Sequence, residues 1–302
     1  MSKILSIDPS TLSTQQVHGY LLSGVGPRPI AFASTIDANG NVNLSPFSYF
    51  NVFSANPPIL IFAPAKRGRD GSNKHTYENI KVVPEVVINM VNYAMVEKMS
   101  LASTEYEQGV NEFVKAGFKE RASETVKPPR VLESPVSFEC TVDQVIELGE
   151  EGGAGNLVIS RIQRIHIDSD YLKDNQTLDT EKLDYVGRLG ENWYVRAHGE
   201  ALFEIPKPLK TKGIGVDQLS PSIRNSNILT ANNLGRLGNL EKQPSSDEIT
   251  QARQIPRVKE LFLEFEGQRD LIKDGLHRIG KKYIEKGKAE KAHAVLRIVD
   301  EI

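Results

Sequence analysis

The chain has 302 residues, 39% of them hydrophobic and 25% charged, which suits an ordinary globular protein and excludes disordered, collagenous and coiled-coil classes. Lys plus Arg number 37 against 39 Asp plus Glu, a net charge of −2 that argues against an electrostatic nucleic-acid binder. The length allows two domains, or one large domain with an extension.

Residues 25–205 are rich in short β-type runs. The first is Ile30–Ile36, and Asp37-Ala38-Asn39-Gly40-Asn41 after it is turn chemistry that closes a hairpin. Asn56-Pro57-Pro58 stops one segment before the next strand, Ile59–Phe62. A short helix is expected over 76–81, started by Asn73 or His75, and a strand over 86–91. Residues 93–103 and 108–116 read as helical. Val136–Val142 is a further strand, and Gly152–Asn156 separates it from Leu157–Ile167, whose strict alternation with apolar residues on both faces predicts a strand covered in part on each side. The sheet is expected to be mainly antiparallel with inserted helices. No G-x-G-x-x-G follows a strand, which weakens a dinucleotide-fold reading.

After about residue 208 the character changes. Residues 211–245 hold many Gly, Asn, Ser and Pro and read as a loop-rich linker. Ser245 and Glu248 offer a capping box, followed by stripes at helical spacing: Val258, Leu261, Phe265, Ile272, Leu276, Ile279, Tyr283, then Ala292, Val295, Leu296, Val299. Such stripes are core, packing on the first region or on a second subunit. Two domains are therefore expected, 1–208 and 209–302. Gly-Arg-Leu-Gly occurs at 187–190 and 235–238 without longer self-similarity, so it is either coincidence or two similar turns.

Hydrolase and phosphate-loop motifs are absent. The six histidines show no metal-ligand spacing, so no metal site is expected. The single cysteine, Cys140, excludes an intramolecular disulfide and a multi-cysteine zinc site, and reads as an inert thiol in a strand. Neither a signal peptide nor a membrane-spanning run is evident, so a reducing, cytoplasmic setting is the expectation.

Two segments carry chemistry. In residues 27–54, Ser45, Ser48 and Asn51 offer polar groups beside the flat surfaces of Phe47, Tyr49, Phe50 and Phe53. A flavin ring needs both, but on the residues alone a strand with aromatic core residues and a polar turn is the favoured reading. In residues 64–79, Lys66, Arg67, Arg69 and Lys74 with Ser72 and Thr76 precede a helix N-terminus. That is either a phosphate cradle or a solvated basic loop.

The ordered motifs resemble the flavin reductase-like, FMN-binding split-barrel family. They comprise Arg28-Pro29-Ile30-Ala31, Ser34-Thr35, Asp37, Gly40, Asn43, Ser45-Pro46-Phe47-Ser48-Tyr49-Phe50-Asn51, Asn56-Pro57-Pro58 and Lys74-His75-Thr76 before Asn79-Ile80. Val87-Ile88-Asn89, Glu133-Ser134-Pro135-Val136 with Glu139-Cys140, and Val186-Gly187-Arg188-Leu189-Gly190 continue the match over about 18–205. The resemblance implies a mainly β fold: a six-stranded antiparallel split barrel with Greek-key-like order, here with a C-terminal helical extension. It implies a homodimer with FMN near the subunit interface. Ser34, Thr35, Asn43, Ser45, Pro46, Phe47, Ser48, Phe50 and Asn51 would then line the flavin site, Lys74, His75 and Thr76 would hold the phosphate, and Arg188 would reach in from a late loop. His75 stands where relatives carry Asp, and Glu191 follows Gly190 where they carry a second Gly.

The implied activity is hydride transfer from NAD(P)H to flavin, free-standing or supplying reduced flavin to a partner oxygenase. Two alternatives share the barrel: a flavoredoxin-like electron carrier with a redox partner, and a non-enzymatic flavin-binding protein whose helices form an interaction module. A pyridoxamine-phosphate-oxidase-like reading fits the 27–54 motifs poorly. No nucleic-acid or membrane partner is expected.

Overall fold

The computed structural model describes residues 4–205, 208 and 211–302. The chain divides into two compact units, one ending at Phe203 and one from Glu204 to Ile302. The boundary expected at 208/209 falls on a stretch in which residues 206, 207, 209 and 210 lie outside the described residues.

The first unit opens with α1 (Thr14–Gly24). Ser13 and Gln16 cap it reciprocally, a signal present in the sequence and not read there. The hairpin β1 (Ala31–Ile36) and β2 (Val42–Phe47) follows, then β3 (Phe50–Ala55) and β4 (Pro58–Phe62). The first hairpin loop is shaped by Asp37, whose Oδ1 accepts from the N–H groups of Asn39 (2.8 Å) and Asn41 (2.9 Å), with Gly40 at φ 85°. Next come α2 (His75–Val82) and β5 (Glu85–Asn89). Lys74 occupies the N-cap of α2, in place of the Asn73 or His75 expected from sequence.

The two helical readings that follow are shortened by caps. Residues 93–95 form a 3₁₀ turn before α3 (Val96–Leu101), and α4 spans only Glu112–Ala116. Asn111 accepts from the Phe113 N–H at 2.9 Å, and Gly117 at φ 70° ends the helix. Two short strands, β6 (Glu120–Arg121) and β7 (Arg130–Val131), pair with each other. The long hairpin β8 (Val136–Glu147) and β9 (Asn156–Ile167) comes next. A single turn α5 (Thr180–Leu183) precedes the small hairpin β10 (Val186–Arg188) and β11 (Tyr194–Arg196).

Seven strands form one sheet in the order β2-β1-β5-β8-β9-β4-β3, every pair antiparallel. That is one strand more than the resemblance implies, because residues 50–55 pair with β4 as a strand of their own. The outer strands β2 and β3 are consecutive in sequence, with only Ser48 and Tyr49 between them. Three residue steps span about 11 Å at most. The sheet therefore curls until its two edges face each other, making a barrel that is split open at residues 48–49. Bulges between Glu139 and Cys140, between Val142 and Gln144, and between Val52 and Ser54 supply bend and twist.

β1 is buried along its whole length, and its period of two sorts the core into layers. Ala31 and Ala33 face a cluster with Phe47, Leu60, Phe62, Val86, Ile88, Cys140 and Val158, which Ile80 of α2 joins. Ile30 and Phe32 face a second cluster with Leu44, Met95, Met99 of α3, and Phe113 and Ala116 of α4. Cys140 is fully buried, and burial pushes its thiol far above the ordinary range. Asn89 joins the layers: its amide donates to the Phe32 carbonyl (3.0 Å), and its carbonyl accepts from the Val131 N–H (3.0 Å) and the Ser137 hydroxyl (2.8 Å).

The second unit is helical: α6 (Pro221–Arg224), α7 (Ala231–Gly238), α8 (Ser246–Arg253), α9 (Pro256–Glu264), α10 (Arg269–Glu285) and α11 (Ala289–Arg297). The stripes read from sequence form its core, with Val258, Leu261, Ile272, Leu276 and Val295 in one cluster. The segment 211–245 is not a loose linker. Leu219, Ile223, Leu229 and Leu237 pack with Ile284, Ala292 and Leu296. Its glycines serve close backbone approach: a Cβ on Gly213 would lie 2.4 Å from the Gly238 carbonyl oxygen. The two Gly-Arg-Leu-Gly segments sit in different structures, one in β10 and the turn after it, one in α7, so they are not two similar turns.

One buried carboxylate ties the barrel wall together. Glu139, fully buried on β8, accepts from the N–H groups of Glu124 (2.8 Å) and Thr125 (2.6 Å) and from the Thr125 hydroxyl (2.5 Å). His166 Nε2 lies 2.6 Å from it and Arg130 Nε 3.8 Å. Burial pushes its pKa up, but these hydrogen bonds outweigh burial and bring it from 4.5 down to about 2. A depressed carboxylate contributes stability above its unfolded pKa and loses it as pH falls toward the folded value. Glu139→Gln is expected to cost about 2–3 kcal/mol at pH 7. Urea unfolding of wild type and variant should show that gap closing between about pH 4.5 and pH 2.

Candidate functional site

The split in the barrel is where the first unit is hollow. Pro46, Phe47 and Ser48, at the end of β2, line two cavities, one on either side. The larger, about 700 Å³, is bounded by Met99 and Ser100 of α3, by Tyr93, and by Arg188, Tyr194 and Arg196 of the β10–β11 hairpin. The smaller, about 380 Å³, is bounded by His18 of α1, Tyr49, Lys66, Arg67, Arg69 and Lys74. Ser103 borders both. A narrow extension continues past Ser45 to Asn43, His75 and Thr76 at the start of α2.

That end is built for an anion. Lys74 gives α2 no side-chain cap, so the first-turn N–H groups and the positive end of the helix dipole face outward. Thr76 is 1% exposed, and its Oγ1 accepts from the Asn43 amide at 2.9 Å, which leaves the hydroxyl proton to donate. Behind it, Asn79 donates to Thr35 Oγ1 at 3.1 Å. Arg67, Arg69 and Lys74 converge on one carboxylate, Glu105, at 3.3, 3.2 and 2.9 Å. Burial, with Arg67 and Lys74 nearby, pushes the His75 pKa down, so the imidazole stays neutral at pH 7. The Asp expected here would have put a negative charge against the cradle. The buried Glu112 closes the floor by accepting from the Leu44 N–H at 2.9 Å, and burial raises its pKa.

The two most distant motifs meet at Arg28. This side chain is 6% exposed. Its guanidinium donates to the carbonyls of Leu22 (2.5 Å) and Val25, and to that of Leu189, 161 positions away, at 3.0 Å. Its backbone exchanges two bonds with Arg188, at 2.9 and 2.8 Å. The glycines of the late motif permit that approach: a Cβ would lie 2.9 Å from Pro27 at Gly187 and 2.2 Å from Ser23 at Gly190. Arg188 is thereby held at the larger cavity, its guanidinium 4.7 Å from the Tyr194 ring centroid. Arg196 packs on Tyr93 (3.8 Å) and pairs with Asp184 (2.7 Å).

Among the thirteen residues singled out from sequence, Asn43, Ser45, Pro46, Phe47, Ser48, Lys74, His75, Thr76 and Arg188 line this connected groove. Ser34 and Thr35 stand behind it on β1, fully buried, the Ser34 hydroxyl without a partner. Phe50 packs against the barrel core, and Asn51 is exposed and accepts from the Val52 N–H at 2.8 Å. Neither lines a described cavity. Glu105, Glu112, Tyr93 and Arg196 went unread, since each comes from a segment with no motif of its own. His18 lines the smaller cavity, edge-on to Tyr49 at 6.4 Å.

The model of the flavin reductase like domain matches residues 24–186. The chain belongs to the flavin reductase-like family. An uncharacterised protein of Aquifex aeolicus is 36% identical over 185 residues, covering 61% of this chain and 92% of its own. One of Halalkalibacterium halodurans is 35% identical over 206 residues, 68% of this chain and 97% of its own. Among solved structures, nitrilotriacetate monooxygenase component B from Bacillus cereus superposes with a TM-score of 0.63 at 27% identity, over 68% of this chain and 100% of that one. The 2-nitrobenzoate 2-nitroreductase of Pseudomonas fluorescens gives 0.60 at 25% identity, over 69% and 100%. This flavin reductase-like chain thus has an antiparallel split barrel, with its 43–48, 74–76 and Arg188 residues at the split.

Arg28 yields a test of how the groove is held. Arg28→Met removes the shared donor of the Leu22, Val25 and Leu189 carbonyls and is expected to lower stability by about 2 kcal/mol. Arg28→Lys should recover less than half, because an ammonium cannot fork between carbonyls on two segments. Denaturant unfolding of the three proteins measures both.

Proposed function

We propose that the chain binds FMN along the groove and reduces flavin with NAD(P)H, handing reduced flavin to a partner oxygenase. One observation carries this reading: a cationic, uncapped helix end, a flat segment at Pro46–Ser48 and an open chamber border adjoining cavities that share lining residues. The donor set suits a phosphate-bearing flavin, with cations, a buried hydroxyl and helix N–H groups at one end. Bound there, the flavin supplies the hydride-accepting chemistry.

The residues then divide the work. Lys74, His75 and Thr76 hold the phosphate, with Asn43 orienting Thr76 through its 2.9 Å bond. Thr35 fixes that pair from behind through Asn43 and Asn79. Ser45, Pro46, Phe47 and Ser48 shape the ring slot and shield one side from water. The 700 Å³ chamber takes the nicotinamide, with Arg188 as its cationic wall. That chamber favours a reductase over an electron carrier, which needs no second small-molecule site. Phe50 and Asn51 share β3 with Val52 and Phe53, which are 62% and 63% exposed. A homodimer that covers this strand would place Phe50 and Asn51 at the subunit interface. The oxygenase partner is supported by the likeness to a monooxygenase component B.

Purified protein should show flavin absorption once FMN is added, and anaerobic NADH or NADPH should bleach it. A protein that takes up no FMN sinks the reading; bound FMN that ignores both nicotinamides sinks the reductase part. Lys74→Ala should weaken FMN binding by about 10–100-fold, the worth of a charge-assisted hydrogen bond. Riboflavin, which has no phosphate, should change less than about twofold in a parallel fluorescence titration.

A further inference from the structure

The cationic end of the groove already holds an anion from the chain itself. Glu105 follows α3 and borders both the smaller cavity and its extension toward Thr76. Its carboxylate meets Lys74 Nζ at 2.9 Å, Arg69 Nη2 at 3.2 Å and Arg67 Nε at 3.3 Å. The hydrogen bond from Lys74 keeps it ionised by drawing its pKa down. Three cations on one carboxylate reproduce the geometry that a phosphate asks for, with fewer acceptor oxygens.

Folding stability alone does not account for this arrangement. The Glu105 side chain is 41% exposed, and ion pairs at such exposure contribute little to folding. Its loop is lightly attached. The N–H groups of Ser103, Thr104 and Tyr106 bond to Ser100, Leu101 and Thr104, all within the same stretch. Glu105 can leave without disturbing a strand. Arg67 cannot follow it freely, since it is also bonded to Ser72 Oγ at 3.1 Å and to the Asn73 carbonyl.

We propose that Glu105 is an internal competitor for the flavin phosphate, holding Arg67, Arg69 and Lys74 in register and yielding to the incoming phosphate. The inference rests on the phosphate assignment made above and extends it. FMN must displace a tethered carboxylate, so its affinity is set low enough for release, and the flavin behaves as an exchanging substrate. Riboflavin, with nothing to place there, does not meet the competitor.

The test uses the full chain as wild type and Glu105→Gln, which keeps shape and removes charge. Flavin fluorescence titrations should give FMN binding about tenfold tighter in the variant, with slower FMN release in stopped flow. Riboflavin should stay within about twofold. Inorganic phosphate should displace FMN from the variant with an inhibition constant about tenfold lower than from wild type. FMN affinity that is unchanged or weakened in E105Q overturns the proposal, as does an equal gain for riboflavin. If wild type binds neither flavin, it is the flavin reading that has failed. Calorimetry with inorganic phosphate alone then decides Glu105: tighter binding to E105Q upholds the competitor, and equal binding overturns it.

Discussion

Two residues, Ser48 and Tyr49, join the opposite edges of a single seven-stranded sheet. Everything distinctive about the first unit depends on that short connection. A sheet whose first and last strands are tethered within about 11 Å must roll up. Its edges still do not pair, so the barrel stays split at the tether. The bulges on β8 and β3 give the wall its bend, and Ala31 and Ala33 on β1 are small enough for the curled sheet to close over Phe47 and Phe62. The tether is also the floor of the groove, because Pro46, Phe47 and Ser48 face a cavity on each side of it. Fold and site are consequences of one constraint.

Around that split the electrostatics are graded. At the α2 end, Arg67, Arg69, Lys74 and the helix dipole set a positive potential, answered by Glu105 on all three cations and by Asp70 on Arg69. His75 adds no charge at neutral pH. At the opposite end Arg188 and Arg196 stand on tyrosine faces; Arg196 is paired bidentately with Asp184, so Arg188 carries the charge turned to the cavity. Between them the lining is small and mostly uncharged. Anionic groups are attracted to both ends and a flat neutral ring to the middle, a pattern suited to a phosphate-bearing cofactor and an anionic co-substrate.

Much of this was legible in the sequence where the signal is local. Asp37 through Asn41 announced a hairpin because Asp37 and Gly40 satisfy the loop from within. The alternation from Leu157 to Ile167 announced β9, since one strand's period is a property of the strand alone. The segment 211–245 misled for a physical reason. Gly and Asn mark flexibility when nothing is near them, and close packing when a backbone is, as at Gly213 against Gly238. α1 was missed because it buries no residue, leaving only its capping box as a signal.

The sequence by itself determined the long central strands, the first hairpin turn, the family and the stretches 43–48 and 74–76 that border the groove, because those follow from periodicity, turn chemistry and motifs contiguous in the chain. Tertiary structure alone decided which distant groups meet. Arg28 reaches Leu189 across 161 positions, and Glu105 meets the cations of residues 67–74 only because α3 packs on the outer face of β1. A carboxylate in a stretch without a motif carries no mark of what it will face. Its role comes from the charge placed beside it, and only the rolled sheet and the helices packed on it set that placement.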